Sequence, residues 1–147
     1  MRKREIKEVI LGINAAMKKE LEGEKDIELL VNSFYDRVKK DEQIGFIFNQ
    51  IIGSDWSHHL PLMYKFWSSV LLNKAGYEGN AVKKHVDIDK KIPLEKEHFE
   101  RWLQLWNTTV DDLFSGETAA NAKNRAMLMA HLINMKVEIS RGGKLIQ

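Results

Sequence analysis

The stretch Asp26–Asp41, "DIELLVNSFYDRVKKD", decides the fold class. Ile27, Leu30, Val31, Phe34, Tyr35 and Val38 recur at three and four spacing, the signature of a helix with one buried face. Asp26 is placed to cap its start, and Tyr35 falls on the inward face or close to it.

The same period runs through the rest of the chain. The N-terminal segment predicts a helix from Glu5 to Leu21, with Ile6, Val9, Ile10, Ile13, Met17 and Leu21 on one face and Gly23 ending it. The short apolar piece "EQIGFIFNQIIG" (42–53) reads as a corner of one or two helical turns, broken by Gly45, with Phe46 and Phe48 pointing inward. Ser54 can cap a third long helix, Asp55 to Asn73, which carries Trp56, His59, Met63, Phe66, Trp67 and Val70 on one broad face. Pro61 lies inside that pattern and predicts a kink, or a helix that firms up only beyond it.

The Gly-containing loop "NKAGYEGN" (73–80) leads to a short segment carrying His85. Pro93 then stands near the first turn of a helix burying Phe99, Trp102, Leu103, Trp106, Val110 and Leu113, which Gly116 stops. The last helix, Glu117 to Ile139, presents the small-residue stripe Ala122, Ala126, Met129, Ala130, Ile133 and Val137. With only two prolines and no alternating strand pattern, the chain is expected to be all-α, six or so helices around one core.

Composition narrows the chemistry. The chain has 147 residues, enough for one sizeable core, and its formal charge of +2 is too small to argue for nucleic acid. The absence of cysteine excludes disulfides, thiolate ligands and covalent haem attachment through a Cys-x-x-Cys-His motif, so any metal is held by His, carboxylate or Tyr. The basic start lacks a signal-peptide pattern, since Lys18, Lys19 and Glu20 stand where a cleavage site would fall, and a cytoplasmic protein is expected.

Five histidines are the candidate ligands. His58 adjoins His59 and falls at the edge of the apolar face, while His131 has no inward partner. Glu95 and His98 form an i, i+3 pair of the kind a di-iron bundle uses, yet only Asp55 with His58 offers a second such pair and no inward glutamates accompany them. His59, on an apolar face, and His85, in an independent segment after a loop, could face a bulky apolar cofactor from opposite sides, as haem requires. Three readings stand at this point: a haem protein, a non-haem di-iron bundle, and a cofactor-free helical interaction module whose basic amphipathic first helix lies on an acidic membrane surface.

The pieces "SFYDRVKKD" (33–41), "IGFIFNQ" (44–50), "DWSHHLPLMYKFW" (55–67), "YEGNAVKKH" (77–85) and "HFERWLQLW" (98–106), in this order and spacing, resemble the truncated haemoglobins, and within them the third group. The resemblance covers Asp26 to Val137 and implies a shortened globin fold, two helix pairs sandwiching a haem, with the segment around the proximal histidine mostly loop. It implies a globin domain over residues 26–147 and an N-terminal extension helix, residues 1–25, packed on the core.

Carried over residue by residue, it makes His85 the iron ligand and puts Tyr35, His59 and Trp102 in the distal ligand pocket, with Phe48, Met63 and Phe99 against the haem. Lys84 is the candidate partner of a haem propionate. Non-covalent haem b is the expected cofactor, and oxygen, nitric oxide and carbon monoxide the expected ligands. Several distal donors suit nitric oxide or peroxide detoxification, with an unidentified electron donor, better than oxygen transport; no nucleic acid or membrane-spanning segment is implied, and the chain is a monomer or homodimer. The sequence departs from the family pattern in its long first helix and in Pro61, two residues after His59, which leaves the direction of that imidazole open.

Overall fold

The computed structural model describes residues 2–9 and 18–142. They are all-helical: a helical segment at residues 3–9, then α1 (Glu24–Lys40), α2 (Gly45–Ile52), α3 (His59–Leu72), α4 (Ala81–Lys91), α5 (Lys96–Leu113) and α6 (Glu117–Gly142). Helix α1 packs on α3 and α5, and α6 packs on α5 and α4, so two helix pairs face one another across the core.

Helix α1 buries the six residues its period predicts, Ile27 through Val38. Its cap differs. Gly23 is the N-cap, and Asp26 sits in the first turn, where its carboxylate reaches back to accept the Glu22 N–H at 3.0 Å and pairs with Lys19. Asp26 thus satisfies an unpaired donor from inside the helix instead of from its threshold.

The expected helix does not extend to Leu21. Residues 10–17 lie outside the described residues, Ile6 and Val9 are exposed, and residues 18–22 are not helical. Their polar groups are spent sideways: the Lys18 carbonyl accepts from the Ser115 hydroxyl, and the Lys19 carbonyl accepts from the Ser115 N–H at 2.9 Å. Glu20 accepts the Thr118 and Ala119 N–H groups, each at 3.0 Å, and so caps α6 from across the molecule. Leu21 is buried in the core. Gly116, at φ +115°, leaves room for the Glu20 carboxylate that a Cβ would strike.

Gly45 opens α2 instead of breaking it, because a Cβ there would come within 2.9 Å of the Val38 carbonyl; its absence lets α2 start against the end of α1. Phe48 is half-buried against the core, whereas Phe46 is 44% exposed, since Ile44 and Ile47 occupy the inward side of this short helix. Helix α3 begins at His59, not Asp55. The Asp55 carboxylate takes both the N–H and hydroxyl of Ser57, a local turn that competes with helix. Pro61 then falls in the first turn of α3, where its missing N–H has no helical acceptor to lose.

The segment carrying His85 is helix α4, eleven residues long, not mostly loop. The Asn80 side chain caps it by accepting the Lys83 N–H, and the loop expected at 73–80 precedes it. Pro93 lies before α5, which starts at Lys96 behind the N-cap Glu95. Helix α6 buries Ala119, Ala122, Ala126, Ala130, Ile133 and Val137, small residues that bring it close to α5; there the Trp106 indole N–H bonds the Ala122 carbonyl.

Candidate functional site

A cleft between the helix pairs collects side chains from α1 to α6 around a cavity of about 200 Å³. Its walls are almost entirely apolar, with Ile44, Ile47 and Ile51 from α2, Met63, Phe66 and Trp67 from α3, Phe99 and Trp102 from α5, and Met129 and Ile133 from α6. Titratable or hydrogen-bonding groups are few: Tyr35, Tyr77, Lys84, His85 and His98, beside the indoles.

Helix α4 presents His85 to this cleft. Its Nδ1 lies 2.6 Å from the Ala81 carbonyl, one turn earlier. A carbonyl can only accept, so Nδ1 carries the proton and Nε2 keeps a free lone pair. Burial pushes the His85 pKa below its ordinary value, against the opposing pull of the Ala81 bond, so the ring is neutral and able to bind a Lewis acid.

Tyr35 is 5% exposed. Its ring is held edge-on by Phe34 at 4.9 Å, tilted against Trp56 at 5.2 Å and Phe48 at 5.8 Å, and edge-on to His59 at 5.4 Å. Burial raises its pKa, so the hydroxyl remains a donor at any physiological pH. Trp102 is fixed by a parallel stack on Trp106 at 6.0 Å and an edge contact with Phe34 at 5.6 Å. Both line the cleft, as do Phe48, Met63, Phe99 and Lys84.

His59 is placed differently from these. It packs edge-on against Tyr35 and Trp56 without being one of the wall residues, and its Nε2 is buried without a hydrogen-bond partner. Desolvation first, then the charge of Lys84, lower its pKa. A buried orphan nitrogen is costly unless something else satisfies it.

The other histidines separate from this group. His58 and His131 are exposed. His98 lines the cleft mouth, but its Nδ1 accepts the Glu95 N–H at 2.9 Å, which spends the pair as a helix cap. Among the described residues no three His, Asp or Glu side chains come together as a metal site, so the geometry offers one imidazole to a bound metal and not a di-iron set.

Several wall residues had no role assigned from the sequence, though Ile44, Ile47 and Tyr77 fall within the pieces that carry the resemblance. Ile44, Ile47 and Ile51 are spaced three and four apart, a signal present in the sequence. Tyr77, which leaves the 73–80 loop to meet Phe66 edge-on at 5.0 Å, has no periodic signal.

Fold and cleft together define an all-helical protein with an apolar cleft to which one neutral imidazole is presented. No protein-family model matches the chain. The chain is 34% identical to the group 3 truncated haemoglobin ctb of Campylobacter jejuni subsp. jejuni over 123 residues, 81% of this chain and 94% of the relative. It is also similar to the crystal structure of the group III truncated haemoglobin from Campylobacter jejuni, with a TM-score of 0.75 and 31% identity over 82% of this chain and 95% of that one. The chain belongs to the group 3 truncated haemoglobins, and is a globin.

The residues present fit the haem that this family implies. His85 offers a free Nε2, the walls are apolar, and Tyr35 and Trp102 bring hydrogen-bond donors to the same cleft. The orphan His59 Nε2 adds a polar atom that the protein alone leaves unsatisfied.

Proposed function

We propose that this globin binds haem b without a covalent link, with His85 as the axial ligand, and acts on oxygen, nitric oxide or peroxide rather than transporting oxygen. The observation that carries the reading is the His85 ring: neutral through burial, its Nδ1–H committed to the Ala81 carbonyl, its Nε2 available in an apolar cleft. Haem held there would supply an iron able to bind a diatomic ligand and to change oxidation state.

The chain's own residues supply the rest. Tyr35 and Trp102 carry donors on rigidly packed rings, so hydrogen bonds to a partly negative ligand need little reorganisation. His59 packs edge-on against Tyr35, its Nε2 buried without a partner, and is the third polar group beside them. Each such bond contributes roughly 1 kcal/mol net, and together they retain a ligand long enough for redox chemistry. Phe48, Met63 and Phe99 exclude water from the same space and pack the ring, and Lys84 at the cleft offers a cation for a haem carboxylate. No described helix is long and apolar enough to cross a membrane.

The test is haemin titration of the purified chain, wild type against His85→Ala, with spectra before and after dithionite. A saturable Soret band at one haem per chain, with the wild-type axial ligation lost in the variant, is expected. A folded wild type that takes up no haem specifically refutes the reading. Stopped-flow mixing of the oxygenated protein with nitric oxide, and of the oxidised protein with peroxide, then separates the two activities.

A further inference from the structure

The last turn of α6 ends in an ionic clasp. Arg141 Nε lies 3.1 and 3.0 Å from the two oxygens of Asp89, and its Nη2 lies 2.6 Å from Oδ1. The same guanidinium donates to the Leu94 carbonyl at 2.8 Å and reaches Glu95 at 3.4 Å. Asp89 closes the loop by accepting the Leu94 N–H at 2.8 Å. The Asp89 side chain is 8% exposed and that of Arg141 36%, so a largely buried carboxylate is held bidentately by a guanidinium whose outer side meets solvent.

The clasp grips the wall that carries His85. Asp89 is one helical turn beyond His85 on α4, on the same side of the helix. Ile88, beside Asp89, and Leu94, held by Arg141 through its carbonyl, both line the cleft with His85. Asp89 and Arg141 themselves are not wall residues. A single side chain on the last turn of α6 therefore fastens helix α4 and the turn behind it at two points.

We propose that Arg141, through Asp89 and Leu94, is a positioning residue that sets the seat of α4 and hence the direction in which His85 presents Nε2. This rests on the reading of His85 as the axial ligand of haem. A guanidinium is suited to the task because its planar fork holds both carboxylate oxygens and a carbonyl at once, whereas an ammonium holds a point.

The experiment is resonance Raman of the ferrous, ligand-free, haem-loaded full chain, read at the iron–histidine stretching band, with haemin loss to an acceptor globin measured beside it. Arg141→Gln and Asp89→Asn are expected to shift and broaden the band and to speed haemin loss on the order of 10-fold, the size typical of groups that orient a metal ligand. Arg141→Lys, which keeps the charge without the fork and stands in should Arg141→Gln fail to fold, is expected in between. Arg37→Ala, which breaks the Arg37–Asp112 pair between α1 and α5, is expected to leave the band in place. An unmoved band in a folded clasp variant overturns the positioning role, even if haemin loss accelerates. A wild type without the band, or a band surviving His85→Gly, overturns the His85 reading and this proposal with it.

Discussion

Tyr35→Phe removes one oxygen atom from the cleft and little else. The ring is 5% exposed and touches Phe34, Phe48, Trp56 and His59 at centroid separations of 4.9 to 5.8 Å, all of which a phenyl ring retains. The substitution therefore opens no cavity comparable to a lost side chain, and apoprotein stability is expected to change by less than about 1 kcal/mol. What is lost is a donor that burial keeps protonated. A hydrogen bond to a ligand carrying partial negative charge contributes roughly 1.5 kcal/mol, and each 1.4 kcal/mol is tenfold in an equilibrium. Oxygen dissociation from the reduced haem-loaded protein, followed by stopped-flow displacement with carbon monoxide, is thus expected to accelerate about 10-fold, with the association rate within a few-fold of wild type. An unchanged dissociation rate in a variant of normal spectrum and stability would refute the assignment of Tyr35 as a distal donor. A large stability loss beside the rate change would mean instead that the aromatic cluster had repacked.

His59→Leu removes a buried nitrogen that has no partner in the protein, so apoprotein stability in urea should hold or rise while ligand retention falls; a loss above about 2 kcal/mol contradicts the orphan assignment. Glu20→Ala strips the cap from two N–H groups of α6 and should cost roughly 1 kcal/mol, a fall of about 2–4 °C in Tm for a chain of this size. Gly116→Ala should cost more in the wild type than in the Glu20→Ala background, because only the wild type has a carboxylate for the new Cβ to strike; equal costs would leave backbone strain as the whole effect.

The Arg141 hydrogen bonds first, outweighing desolvation, hold the Asp89 carboxyl below its ordinary pKa. The folded state therefore binds that proton less readily than the unfolded chain, and the clasp's contribution is complete above the unfolded value of roughly 4 and fades as pH falls through the folded one. The stability gap between wild type and Asp89→Asn should accordingly be level from pH 7 to 5 and close below about pH 4; a gap that widens with acid contradicts the pairing.

The helical class, the inner stripe of α1, the small-residue face of α6 and the residue types needed by a haem cleft were all legible in the linear sequence. They are local or periodic properties: burying an apolar face requires a 3.6-residue repeat, and that repeat is written in the chain whether or not it has folded. The helix boundaries were less legible where a side chain competes with the backbone, as Asp55 does before α3, or where a cap comes from far away. Glu20 satisfying Thr118 and Ala119 across 98 and 99 residues has no local signature, and neither does the sideways use of the Lys18 and Lys19 carbonyls that keeps residues 18–22 out of helix.

The structure alone decided that His59 packs edge-on against Tyr35 with a buried, unpartnered Nε2, that Phe46 faces outward, and that α4 is a helix fastened by Arg141. Each depends on which surfaces meet when two helix pairs close on one another. A sequence states what a residue can bond; only packing determines which partners come within reach.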